Sequence, residues 1–130
     1  MAEGKTVSSG NISMLLLQLL SEKDMYGYEM IESLRARSNN VFELKAGTLY
    51  PLLHSLEEKG FLTSYEKEIG GKIRKYYSIT DAGKKHLIQK KKEWNEYSQA
   101  VAGILTFSAE GVWWIKGSSL KRLRSRFGSK

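Results

Sequence analysis

With 130 residues and no cysteine, the chain has room for one domain carrying an appended element such as a long helix, and none for two large domains, disulfides or thiolate metal sites. The net charge of +7 is uneven: residues 1–65 hold 6 Lys and Arg against 8 Asp and Glu, residues 66–130 hold 15 against 6, and six of those 15 bases fall in residues 116–130. Overall charge therefore says little about a polyanionic partner, and only local clusters of bases can argue for one.

Residues 1–11 are polar, without the apolar stretch of a secretory signal, and no later run approaches the roughly 18 apolar residues of a membrane span. A soluble cytoplasmic chain with no membrane partner is expected. Ile12 to Leu20 is apolar nearly all round and follows Ser9, Gly10 and Asn11, which are capping candidates, so a buried first helix is expected. Tyr26 to Arg37 places Gly27, Met30, Ile31 and Leu34 at helical spacing with Glu32, Arg35 and Ser38 facing away, the pattern of a second, amphipathic helix. After Ser38-Asn39-Asn40, the stretch Val41 to Leu44 reads either as a small strand or as a lead into the next helix. Leu49, Leu52, Leu53 and Leu56 then repeat at helical spacing, and Gly60 stops a third helix. Pro51, the one proline, is expected in that helix's first turn, where its missing N–H has no partner to lose, so the start is placed near Lys45 to Thr48.

Leu62 to Ile69 and Arg74 to Ile79 are rich in aromatic and β-branched residues and flank Gly70-Gly71-Lys72, which predicts a hairpin with a basic tip. Thr80 is the expected cap of a long helix, in which Leu87, Trp94, Tyr97, Val101 and Ile104 step by seven, three, four and three. Such a seam calls for a partner helix, and these five residues are the dimerisation candidates. The helical pattern fails beyond about Phe107. In the tail, Leu120, Leu123 and Phe127 share a face with Arg122, Arg124 and Arg126 between or opposite, while Gly117-Ser118-Ser119 and Gly128-Ser129-Lys130 resemble a linker and a cloning remnant.

The fold class that follows is mainly α with a small β-hairpin: a winged helix-turn-helix over residues 1–79, a C-terminal dimerisation helix over 80–108, and a basic tail, 109–130, read as non-native or partly ordered. In such a fold the third helix turns its apolar side inward and offers its outer, N-terminal side to the major groove of double-stranded DNA. The outward candidates are Lys45, Gly47, Thr48, Tyr50, Pro51 and Ser55. The hairpin adds Lys67, Lys72, Arg74 and Lys75, expected to meet the phosphate backbone. A charged hairpin is by itself often only a solvated turn, so the alternative is a winged-helix protein-interaction module without direct DNA readout. His54 and His86 are the only histidines, expected on the rim of helix three and the surface of helix four; neither has a carboxylate pair, nucleophile or metal-spaced cluster beside it. No catalytic residue, metal or cofactor is expected, and the chain is not expected to be an enzyme. Of Tyr76 and Tyr77, adjacent on a strand, one should point into the core and the other away from it.

Gly47 to Gly60, reading Gly-Thr-Leu-Tyr-Pro-Leu-Leu-His-Ser-Leu-Glu-Glu-Lys-Gly, resembles the signature helix of PadR-type regulators, and Gly70 to Gly83 resembles their wing and following cap. Tyr26-Gly27-Tyr28 is similar to the start of their second helix. The resemblance spans roughly residues 12–107 and departs at Lys72-Ile73, where the family often has arginine and proline. It implies a compact family member with a single C-terminal helix: a homodimeric repressor of detoxification, efflux or phenolic-acid response genes, released from operator DNA by a small aromatic or apolar effector. It also implies that Trp94 faces a ligand-accepting dimer cleft, with ordinary interface packing as the alternative. Leu15, Leu16 and Leu19 are candidates to wall the same cleft, again with plain core packing as the alternative.

Overall fold

A computed structural model describes residues 9–106. The tail expected at 109–130 lies outside the described residues. The order of elements is α1 (Ser9–Glu22), β1 (Met25–Tyr26), α2 (Gly27–Arg37), α3 (Ala46–Glu58), β2 (Leu62–Ile69), β3 (Lys72–Ile79) and α4 (Asp81–Leu105). One compact unit ends at Lys91 and a second begins at Lys92. The architecture is mainly helical with a small antiparallel sheet, as the sequence predicts.

The core of the first unit is leucine-rich because three helices each turn one apolar face to it. Leu16, Leu17 and Leu20 of α1, Met30 and Leu34 of α2, and Leu49, Leu53 and Leu56 of α3 are all buried in it. Each such side chain contributes roughly 1.5–3 kcal/mol by leaving water. Leu62, Met25 and Tyr77 close the core from the sheet, and Leu87 closes it from the start of α4.

Local chemistry fixes the boundaries. α2 ends where Asn39 and Asn40 both turn to positive φ, 55° and 67°, a conformation asparagine tolerates better than most residues. α3 begins where the Lys45 carbonyl accepts from the N–H groups of Thr48 and Leu49, both at 2.9 Å. It ends with Gly60 at φ 82°, the Gly60 N–H donating to Glu57 O at 3.0 Å and the Phe61 N–H to Leu56 O at 2.9 Å. This paired arrangement satisfies carbonyls that the last turn would otherwise strand. Gly70 and Gly71, with φ of 61° and 81°, make the two-residue turn between β2 and β3, a geometry that needs positive φ at both positions.

Of the two readings of Val41 to Leu44, the lead into the next helix holds and the strand does not. The third strand, which the sequence does not predict, is β1, two residues long, with Met25 opposite Tyr77 and Tyr26 opposite Tyr76. One expectation needs correction. Pro51 lies in the second turn of α3, not the first, because the helix already begins at Ala46. Having no N–H, Pro51 cannot donate to the Gly47 carbonyl four residues back. Both residues are exposed, so water can meet that carbonyl.

Candidate nucleic-acid interface

The periodicity that buries Leu49, Leu53 and Leu56 necessarily turns the rest of α3 outward. Gly47, Thr48, Tyr50, Pro51 and His54 are exposed, as is Lys45 just before the helix, while Ser55 is half-buried. The first turn of α3 carries no acidic side chain, so nothing on it offsets the partial positive charge of its free N–H groups. A Cβ on Gly47 would meet no atom within 4 Å. The fold therefore does not require glycine there, whereas a ligand backbone approaching closely would. His54, one helical turn beyond Tyr50 and Pro51, belongs to the same outward row.

Tyr50 is more restrained than its 46% exposure suggests. Its hydroxyl lies so close to Gly27, the first residue of α2, that a Cβ there would overlap it. One edge of the ring is thus held against α2 and the other faces solvent.

The hairpin register sorts the wing's bases onto two faces. Lys67 stands opposite Arg74, Ile69 opposite Lys72 and Tyr65 opposite Tyr76, and residues directly opposite share a face. That face carries three bases and no acid. Lys75, by contrast, stands opposite Glu66 on the other face, where Glu68 also lies. The four wing bases expected from sequence therefore do not form one cluster. Lys67 and Lys72 are exposed on the basic face and Lys75 is exposed on the mixed one.

Arg74 is half-buried. Its Nη1 donates to the Tyr26 hydroxyl at 3.0 Å, and its guanidinium carbon stands 4.4 Å from the centre of the Tyr26 ring. Tyr26 in turn meets Tyr76 edge-on at 5.4 Å, Tyr65 stacks on Tyr76 at 5.8 Å, and the Lys67 ammonium lies 5.4 Å from the Tyr76 ring. Tyr65 donates to Asp24 Oδ2 at 2.6 Å, a bond that holds its hydroxyl above its ordinary pKa. Sequence reasoning missed Asp24, Tyr26 and Tyr65. The signal was present only as alternation in the two wing strands, and the pairing of β3 with Met25 and Tyr26 cannot be read locally.

The two adjacent tyrosines do point to opposite faces, yet both are buried: Tyr77 in the core and Tyr76 beneath this outer cluster. Burial pushes the Tyr77 hydroxyl's pKa up, with Glu57 and Tyr50 nearby adding to the rise.

His86 is half-buried and stacks on Phe61 with ring centres 4.3 Å apart, so it is a packing residue and not the surface residue expected. Of the expected dimer seam, Leu87 is taken up by the protomer's own core, 5% exposed. Trp94, Tyr97 and Ile104 are 46%, 64% and 78% exposed, Val101 is half-buried, and the Trp94 and Tyr97 rings lie 6.0 Å apart. Among the expected effector contacts in α1, Leu16 and Leu19 are enclosed by the core, which leaves Leu15, half-buried, with surface to offer. Among the described residues no cluster of histidines and carboxylates could hold a metal, and no helix is long and apolar enough to cross a membrane.

Residues 16–89 match the transcriptional regulator PadR-like family. A transcriptional regulator of Mycobacterium tuberculosis is 30% identical over 88 residues, covering 68% of this chain and 79% of that protein. The crystal structure of a PadR family transcriptional regulator from Eggerthella lenta superimposes with a TM-score of 0.66 at 35% identity, over 76% of this chain and 85% of the other. A transcriptional regulator from Clostridium thermocellum gives the same TM-score at 36% identity, over 71% and 90%. These relatives are regulators and not enzymes. The match over residues 16–89 takes in α2, α3 and the whole hairpin, and on that ground the chain belongs to the PadR-like family of transcriptional regulators.

Proposed function

We propose that the protein is a homodimeric repressor that binds operator DNA in the cytoplasm through the outer side of α3 and the basic face of its wing. The observation that carries this reading is the exposed row of Lys45, Gly47, Thr48, Tyr50 and Pro51 at the amino end of α3, a surface that packing uses only at the edge of Tyr50 against Gly27. Thr48 offers a hydroxyl to phosphate and a methyl to thymine, Gly47 admits the DNA backbone, and Ser55 and His54 extend the row by one turn. Lys67 and Lys72, with Lys75 from the other face, neutralise neighbouring phosphates. Two copies meet through Trp94, Tyr97, Val101 and Ile104 of α4, since large apolar side chains at helical spacing are seldom left in water. Operator half-sites then lie about one helical turn, roughly 34 Å, apart.

A small aromatic or apolar effector releases the DNA, with Trp94 as the residue on which it stacks. Release requires that the effector bind the two dimer geometries unequally, since equal affinity shifts nothing. The regulated genes are those of detoxification, efflux or phenolic-acid response.

Selection of duplexes from a random pool, followed by titration of the winning sequence, tests the reading. A near-palindrome should emerge, and Thr48→Ala should weaken binding to it by about tenfold. Failure to enrich any sequence, together with salt-insensitive capture of a purified protein partner, contradicts it and supports the protein-interaction module instead.

A further inference from the structure

We propose that Arg74, although it lies on the basic face of the wing, is a positioning residue: with Tyr26, Tyr65 and Asp24 it forms a clamp that sets the wing's placement relative to α3. This rests on the DNA-binding reading above and assigns one of its arginines a different role.

A base that serves phosphate needs its donors free and its head in water, as Lys72 has beside the turn. Arg74 is half-buried, with one of its five N–H donors and one face of its guanidinium engaged elsewhere. Its flat face covers the Tyr26 ring and one of its N–H groups is held by the Tyr26 hydroxyl, an arrangement that suits a planar guanidinium and not a lysine ammonium. β2 is tied to the same place through the Tyr65 hydroxyl on Asp24. Both strands of the wing are therefore fastened to residues 24–26, the short strip that opens α2.

α3, seated in the core by Leu49, Leu53 and Leu56, touches the residue that follows that strip. Tyr26 holds Arg74, and Gly27, the next residue, receives the Tyr50 ring. The Tyr26 N–H is itself fixed by Glu29 Oε1 at 3.2 Å, and Glu29 pairs with Lys23 at 3.4 Å. Two consecutive residues thus join the wing to the helix that reads bases. A shift of the wing at this joint changes the distance between its phosphate contacts and the α3 contacts, and deforming the duplex to follow it costs affinity.

The salt dependence of duplex affinity separates a clamp from a phosphate ligand. Removing a phosphate ligand from each subunit of a dimer shrinks the log–log salt slope by about 1.8, twice the value near 0.9 per contact, and lysine substitutes well for arginine. Removing a clamp leaves the slope and lowers affinity at every salt concentration, and lysine does not rescue it. Arg74→Lys and Tyr26→Phe should each weaken binding by about tenfold with the wild-type slope, whereas Lys72→Ala should reduce the slope. Both clamp variants are conservative, and circular dichroism checks that their helices persist. If Arg74→Lys binds like wild type, or if Arg74→Gln reduces the slope as Lys72→Ala does, Arg74 is a phosphate ligand and the clamp is wrong while the DNA reading stands. A wild-type chain that binds no duplex contradicts both.

Discussion

Gly47 and Gly83 are both helical glycines, yet they stand in opposite surroundings. A Cβ on Gly83 would overlap the Phe61 carbonyl oxygen and come within 2.7 Å of Ile79 Cγ1, and that carbonyl is fixed because it accepts from the Thr80 N–H at 3.0 Å. Around Gly47 there is open space. Gly83→Ala should therefore destabilise the fold by about 1–3 kcal/mol, the usual range for overpacking against atoms that cannot move. Gly47→Ala should leave stability unchanged or raise it by up to about 1 kcal/mol, since alanine is the better helix former, while duplex affinity falls about tenfold. Thermal melts and a duplex titration on the two variants check this, and a destabilised Gly47→Ala variant would contradict it. The sequence marks both glycines but cannot tell them apart. The outward place of Gly47 follows from helical period alone, whereas the backbone atom that crowds Gly83 belongs to a residue 22 positions earlier, which no local pattern reveals.

At the scale of elements, Thr80 joins two pieces of the fold. Its hydroxyl accepts from the Gly83 N–H at 3.0 Å, capping α4, and donates to the Gly60 carbonyl at 2.7 Å, just beyond α3. Thr80→Ala should lower stability by about 1 kcal/mol and shift the melting temperature by roughly 4–8 °C; a melt unchanged within error would show that the cap contributes nothing. This cap, the turn at Gly70-Gly71 and the stop at Gly60 were all legible in the sequence, because each rests on side-chain or backbone chemistry within a few residues. β1 was not. Two residues carry no alternation to detect, and the partners of Met25 and Tyr26 lie some fifty positions later. With β1 went the cluster built on it, so Arg74 read as one more wing cation. Pro51 was misplaced by about a turn because proline is commonest at helix starts, a preference that the exposed side of α3 does not enforce.

At the scale of the whole molecule, the described residues of α4 leave Tyr97 and Ile104 largely in water, and in the proposed dimer a second copy covers them. The proposed dimer predicts that the wild type sediments with twice the mass of a Tyr97→Glu, Ile104→Glu double variant at the same concentration, and a monomeric wild type would contradict it. Since both side chains are exposed, the variant's helical content should persist; an unchanged mass would place the dimer contact elsewhere. Leu87 shows the same spacing as the residues after it, and only the tertiary fold reveals that the core has claimed it. The central claim, that α3 enters the major groove, is tested most directly by methylation interference at guanine N7, an atom exposed in that groove, on the selected duplex. Two symmetric windows of interference about one helical turn apart are expected. Undiminished binding to duplex methylated throughout both half-sites would contradict it.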